Sequence, residues 1–410
     1  MDPMNGITIK NSVFVLVIML LGVINTSAQW VQVASPPSDF ITDHTFGFAI
    51  DGKGYLVAGT DENGSVLNDM FQYDPSADEF TQLEDFPGGA RGFAIGDTWN
   101  EKAYFGFGAN DDFRYDDLWE FDPSTESWTE LASCPCSPRI HPALIAHNDK
   151  VFVGLGGDST GDLNDWWIYD MATDSWSEAA RFPAGRRHHP YQFAIGEYVY
   201  VGFGHGGPNI YNTWYRYDIA NDLWIQVASL PAEGRVAGQQ FSWNGKGYIL
   251  SGEGEDHLAM REGEFWSYDP LTDTWEQLPS HPSYSRWAPA SFVIDTEIYI
   301  FNGVVYGFGP VASISEAYKY ELSGVSSTET INAKTNFSIY PNPASDYLII
   351  KNINDLNSND KFVVFDVLGN KVMDFTIGKE KKIDVSNLES GVYLLSTQGI
   401  PDFLQFVITR

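Results

Sequence analysis

Basic residues are scarce in this chain. Lys and Arg number 24 against 55 Asp and Glu, for a net charge of −31. So acidic a surface repels phosphate backbones and anionic lipid, which argues against nucleic-acid and membrane-surface partners and favours solubility. Cysteine is nearly missing: Cys134 and Cys136 are the only two, on either side of Pro135. Cysteine zinc sites need wider spacing and a second ligand pair, so these two read as a local disulfide or as two free thiols, with no catalytic role. Long apolar runs are also lacking. Past the N-terminal segment, no stretch approaches the ~20 apolar residues of a membrane helix. Between Trp30 and Leu322 no helical apolar period is sustained, and no Gly-rich phosphate loop, nucleophile elbow or zinc motif occurs.

Aromatics are plentiful, at 15% of residues, and they repeat. One anchor recurs as Phe80, Trp128, Trp176, Trp224 and Trp275, at intervals of 48, 48, 48 and 51 by subtraction. Ahead of these lie Tyr73-Asp74, Phe121-Asp122, Tyr169-Asp170, Tyr217-Asp218 and Tyr268-Asp269, and a sixth pair, Tyr320-Glu321, has no anchor after it. Glycines precede each pair, at Gly59, Gly106, Gly156-Gly157, Gly202, Gly252 and Gly303. An arginine opens each unit from the second onward: Arg91, Arg139, Arg187, Arg235 and Arg286. Such self-similarity overrides local readings. In the third unit, Ala143–Ala146, Val151–Gly154, Trp166–Tyr169 and Trp176–Ala179 are separated by Asx turns and a polar loop, which predicts four short strands.

These units resemble kelch repeats, with a glycine pair, then Tyr-Asp, then Trp about six residues on. The resemblance spans about residues 30–322. It implies an all-β fold, a six-bladed kelch-type β-propeller of four-stranded blades. The sixth unit lacks an outer strand. Trp30-Val31-Gln32-Val33-Ala34-Ser35 nearly repeats Trp224-Ile225-Gln226-Val227-Ala228-Ser229, so the N-terminal strand is expected to supply it and close the ring.

The termini carry other signals. An apolar run from Val13 to Ile24 follows Lys10 and precedes Thr26-Ser27-Ala28, which predicts a signal peptide over residues 1–28. The propeller is expected over 29–322 and a polar linker over 323–336. Residues 337–410 predict about seven short strands, in the manner of a small Ig-like β-sandwich. Within them, Tyr340-Pro341-Asn342-Pro343, Phe365-Asp366-Val367-Leu368-Gly369 and Gly391-Val392-Tyr393 resemble the C-terminal sorting domain of the type IX secretion system of Bacteroidetes. That resemblance implies passage across the outer membrane, the secretion machinery as a partner through residues 337–410, and a secreted or cell-surface protein with no transmembrane span once the signal is cleaved.

In kelch propellers the face bearing the loops into each inner strand is the usual binding side. The resemblance therefore makes Arg91, Arg139, Arg187, Arg235 and Arg286 candidates for a ring around the channel mouth, able to hold an anion through forked hydrogen bonds. In such repeats this arginine more often serves packing and loop hydrogen bonds inside the blades. His141 and His189 each stand two residues past an arginine and before a proline, Pro142 or Pro190, and are expected to be neighbours near the axis. Glu253 and Glu255 are candidates in a polar loop of the fifth unit, beside Asp256 and His257. Phe80, Trp128, Trp176, Trp224, Trp275 and Trp30 are structural anchors. A pair of histidines is not a complete metal site, so neither metal nor cofactor is assigned. The function expected is capture of an extracellular glycan or protein. The alternative is a sugar-modifying enzyme, similar to sialic-acid mutarotases, for which arginines would clamp a carboxylate. The copper oxidases among kelch propellers fit poorly, because they need a cysteine crosslinked to tyrosine at the copper and the only cysteines here lie in a loop between blades two and three.

Overall fold

Within residues 29–322, strand-forming runs cut by Asx and Gly turns give six sheets of four or five antiparallel strands each. The computed structural model describes residues 29–322, 338–340, 344–351, 361–366, 371–376, 382–397, 400–408 and 410. The expected signal peptide and linker lie outside the described residues. No α-helix occurs among those described, and no helix is long and apolar enough to cross a membrane.

The inner strands are Phe46–Ile50, Ile95–Trp99, Ala143–His147, Tyr191–Ile195, Gln239–Trp243 and Ala290–Ile294. Each packs against the next, and the last packs against the first, so the six sheets form a propeller around a central channel. The second strands, such as Lys150–Gly154, are buried at nearly every position. Neighbouring blades cover both faces of each sheet, so these strands read as continuous apolar runs rather than alternating ones. Close approach sets some glycines. A Cβ at Gly54 would lie 2.1 Å from the Phe292 ring of the sixth blade, and one at Gly247 would lie 2.2 Å from the Phe193 ring.

The aromatic anchors join blades by a repeated bond. Trp176 Nε1 donates to Ala132 O at 2.7 Å, Trp224 to Ala180 O at 2.8 Å and Trp275 to Ala228 O at 2.9 Å. Trp128 breaks the series, since its buried indole N–H has no partner, while Phe80 packs on Tyr73 and Phe301. The Tyr of each Tyr-Asp pair bonds an aspartate five residues later: Tyr73 to Asp78, Tyr169 to Asp174, Tyr217 to Asp222 and Tyr268 to Asp273. Each of these aspartates sits at positive φ in the turn between the outer two strands, a conformation that Asp tolerates. The same carboxylates of Asp174, Asp222 and Asp273 accept from the amides of Ala132, Ala180 and Ala228.

Val31–Val33 pairs antiparallel with Ala317–Glu321 and lies at the outer edge of the sixth sheet. Trp30 Nε1 donates to Pro279 O at 2.8 Å, and Ala34 N donates to Asp78 at 2.8 Å. These are the bonds that Trp176 and Ala132 make elsewhere in the ring.

Cys134 and Cys136 form a disulfide, buried among Tyr104, Leu118 and Leu144. The chain divides into two compact units, Met1–Val325 and Ser326–Arg410. In the second unit, Ser338–Tyr340, Tyr347–Lys351 and Lys382–Asp384 form one sheet; Lys361–Asp366, Lys371–Thr376, Gly391–Thr397 and Ile400–Ile408 form another. Leu348 and Ile383 of the first share a core with Phe362, Val364, Leu395 and Phe406 of the second.

Candidate functional site

Just before each inner strand the chain passes through one residue in the left-handed region. These are His44 (φ 52°), Phe93 (61°), His141 (50°), His189 (51°), Ala237 (54°) and Ala288 (44°). None is glycine, and each such residue stores roughly 1–3 kcal/mol of strain. Hydrogen bonds between blades hold the conformation. His44 N donates to Ala288 O (3.0 Å) and Ala288 N to Ala237 O (2.7 Å); His189 N donates to His141 O (3.2 Å) and His141 N to Phe93 O (3.0 Å). The six residues make a collar around the axis, at the end of the channel where the loops enter the inner strands. A cavity of about 590 Å³ extends from the collar along the inner strands of all six blades.

Three collar residues are histidines, and they converge. His141 and His189 stack with ring centroids 3.3 Å apart, and His44 lies 5.0 and 5.4 Å from them. His44 Nε2 is 3.2 Å from His189 Nε2, while its Nδ1 is bonded to Asp43 at 2.5 Å. Neither ring nitrogen of His141 has a hydrogen-bond partner, nor does Nδ1 of His189. Phe93 and Trp287 flank the cluster edge-on. Burial, then the neighbouring imidazoles beginning with His44, hold His141 well below the ordinary histidine range; for His189 the causes are burial, then His141. Both rings are therefore neutral at pH 7, with lone pairs available.

A second tier surrounds the collar. The residues preceding it bridge to the end of each second strand or to the loop after it, and the chemistry differs by blade: Asp43 with Thr60, His188 with His205, Val236 with Glu253, Trp287 with Val304. His188 Nδ1 is bonded to Asp162 at 2.6 Å, and its ring lies 3.7 Å from that of His205. Burial lowers His188 and takes His205 to about 4. Glu253 is buried with Oε1 unpartnered. Burial, then the charge of Asp256, pushes it up to about 8, so it is a neutral acid at pH 7. Farther down the channel, burial pushes Asp97 up to about 7 despite bonds from the Thr98 and Ala146 amides. Either carboxyl can exchange a proton near neutral pH.

The five arginines do not line this cavity. Their side chains turn into the blades, where all are at most 1% exposed. Arg91 is forked to Asp117 (2.7 and 2.8 Å) and Arg139 to Asp165 (2.7 and 2.8 Å). Arg235 bonds Glu264 at 2.9 Å, whereas Arg187 and Arg286 rest mainly on backbone carbonyls. Of the two arrangements open to these arginines, their side chains adopt the one inside the blades and supply no cationic ring at the mouth. Arginine and histidine two residues apart do not point the same way, because the left-handed collar residue breaks the strand alternation. Glu255 is exposed and accepts from Gly234 N at 3.1 Å.

Sequence reasoning missed His44, Asp43 and Asp97. His44 lies 49 residues before Phe93, a one-residue slip from the period of 48, and the arginine place two residues ahead of it is taken by Thr42. Extending the collar register backwards with one residue of tolerance would have found it.

Residues 338–401 match the family described as the secretion system C-terminal sorting domain. This sorting domain indicates export to the secreted or outer-surface compartment and implies engagement of the type IX machinery. The matched span includes every described strand of the second unit except the last, Ile400–Ile408, of which it reaches only the first two residues. No curated protein matches the chain.

Proposed function

We propose that this chain is an exported kelch-type propeller, latched by its own N-terminal strand, that captures an extracellular glycan or protein at its channel mouth. The observation carrying this reading is the convergence of different side chains, blade by blade, on one end of a cavity large enough for a small ligand or a chain terminus. Loops on the same face add exposed aromatics, with Phe113 and Phe308 both more than 40% exposed and Tyr284 stacked on Phe308. Such faces suit sugar rings or apolar side chains. The repeat spacing and the Trp-to-carbonyl bonds support the kelch reading. The pairing of Val31–Val33 supports the latch, and the shared core of two sheets supports an Ig-like sandwich for the tail. The sugar-enzyme alternative is weakened because the arginines it needs for a carboxylate clamp are committed inside blades.

Screening the secreted full chain on a glycan array and against cell-surface protein extracts tests the reading. Saturable retention that falls at least about fivefold in Trp287→Ala is expected, since truncating a central aromatic costs more than ~1 kcal/mol. Retention unaffected by that change places the ligand elsewhere. Acceleration of sialic-acid anomer exchange, followed by NMR, would favour the enzyme instead.

A further inference from the structure

We propose that His44, His141 and His189 form a binding site for one divalent transition-metal ion at the propeller axis. This assignment rests on the collar geometry and is independent of the glycan or protein ligand proposed above.

The three residues each offer a ring nitrogen, and these atoms lie within 4.8 Å of one another. Metal–nitrogen bonds of about 2.0–2.1 Å in tetrahedral geometry put ligand nitrogens about 3.3 Å apart. His44 Nε2 and His189 Nε2 are already 3.2 Å apart. The third nitrogen, from His141, lies within 4.8 Å of both. The backbone is fixed, because all three residues belong to the hydrogen-bonded collar.

Two further observations point to a ligand. Buried polar atoms nearly always find a partner, yet both ring nitrogens of His141 are buried without one. In addition, Asp43 holds Nδ1 of His44, which fixes the tautomer and turns the Nε2 lone pair toward the cluster. A carboxylate behind a histidine is the usual support of a metal-bound imidazole.

An all-imidazole set suits zinc, copper or nickel rather than calcium or magnesium, which require oxygen ligands. The net charge of −31 favours cation approach. All three histidines also border the channel cavity, so a fourth coordination position would open toward it. His188, His189 and His205 form a competing trio that shares His189. There too a carboxylate, Asp162, holds Nδ1 of the first histidine, His188, so the choice between the trios rests on His189 Nε2, which faces His44.

The test is a titration of the full secreted chain, stripped with chelator, with Zn²⁺ against a chromophoric competitor and with Co²⁺ by visible absorption. One equivalent is expected. Affinity should fall roughly a hundredfold or more in His44→Asn and His141→Asn, and about tenfold in Asp43→Asn. It should be unchanged in His205→Asn. Asparagine is chosen because it tolerates the left-handed conformation, and cooperative melting of each variant checks folding. Zn²⁺ should raise the melting temperature of the wild type but not of His141→Asn. Substoichiometric binding, equal affinity in His141→Asn, or loss in His205→Asn alone would overturn the assignment.

Discussion

Replacing Arg139 with methionine isolates the energetics of the blade interior. The guanidinium is fully buried. It makes two bonds to Asp165, one to Leu155 O at 3.0 Å and, through Nε, one to Ser137 O at 2.9 Å. Methionine keeps the apolar stem and removes the charge, so Asp165 retains Trp167 Nε1 but loses its cation. Breaking one side of a buried pair costs about 3–5 kcal/mol. The Asp165 side chain is 15% exposed, so partial hydration should hold the cost near the lower figure. At about 2–4 °C per kcal/mol, the melting temperature should fall by roughly 6–12 °C at pH 7.

The pH profile supplies a second readout for the same substitution. Burial pushes the Asp165 carboxyl up, but the hydrogen bond and charge of Arg139, with Trp167, outweigh it and leave the group below its ordinary value. A carboxyl depressed on folding adds stability above its unfolded pKa, about 3.9, and that stability is lost as pH falls through the folded value. Wild type and Arg139→Met should therefore converge below about pH 4. Arg187 is the internal control. Thr213 stands at the acid position, 3.5 Å away, and the guanidinium lies over the Tyr211 ring at 4.0 Å. Arg187→Met orphans no carboxylate and should cost less. Calorimetry of the full chain at fixed scan rate decides. A fall of less than about 2 °C for Arg139→Met, or a larger fall for Arg187→Met, refutes the reasoning.

Trp30→Ala removes a half-buried ring packed on Phe265 and Tyr320, together with the bond to Pro279. It should cost roughly 2–3 kcal/mol, below the full-burial figure, and make Val31–Val33 the first segment cut by protease; an unchanged melt and digestion pattern would count against the latch. Glu253→Gln should melt higher than wild type above about pH 8 and alike below pH ~5, since a carboxyl raised on folding loses its stabilising contribution as pH rises through its folded value. Equal melting at pH ~9 would contradict the buried acid. Deleting residues 338–410 should leave the propeller folded but retained inside the outer membrane, as read by cell fractionation.

Much of the propeller was legible because its determinants repeat. Trp176, Trp224 and Trp275 each meet the same carbonyl one blade back, and Tyr169, Tyr217 and Tyr268 each meet the same turn aspartate. A position performing the same task in several copies must keep its residue type, so register alone exposes it. The site was legible only in part. His141 and His189 stood out through their shared offset from the arginines. The collar that carries them did not, because Phe93, Ala237 and Ala288 have no local preference for positive φ. That conformation is imposed by bonds to the neighbouring blade, a tertiary cause with no signature in a single sequence.

The collar also explains why one sequence motif separates into two roles. Arginine at Arg139 or Arg187 anchors the end of an extended segment inside the blade. Two residues later the left-handed turn reverses the direction of the side chain, so His141 or His189 is delivered to the axis. A strand in normal alternation would have sent both the same way, leaving either a cation exposed in the channel or a histidine buried in the blade. The strain of six left-handed residues, offset by the amide bonds between blades, keeps the arginines with their carboxylates or carbonyls and the imidazoles with one another. Substituting the collar should therefore affect the channel chemistry before it affects the blades, whereas substituting the arginines should do the reverse. The metal titration and the Arg139→Met melt together examine that separation.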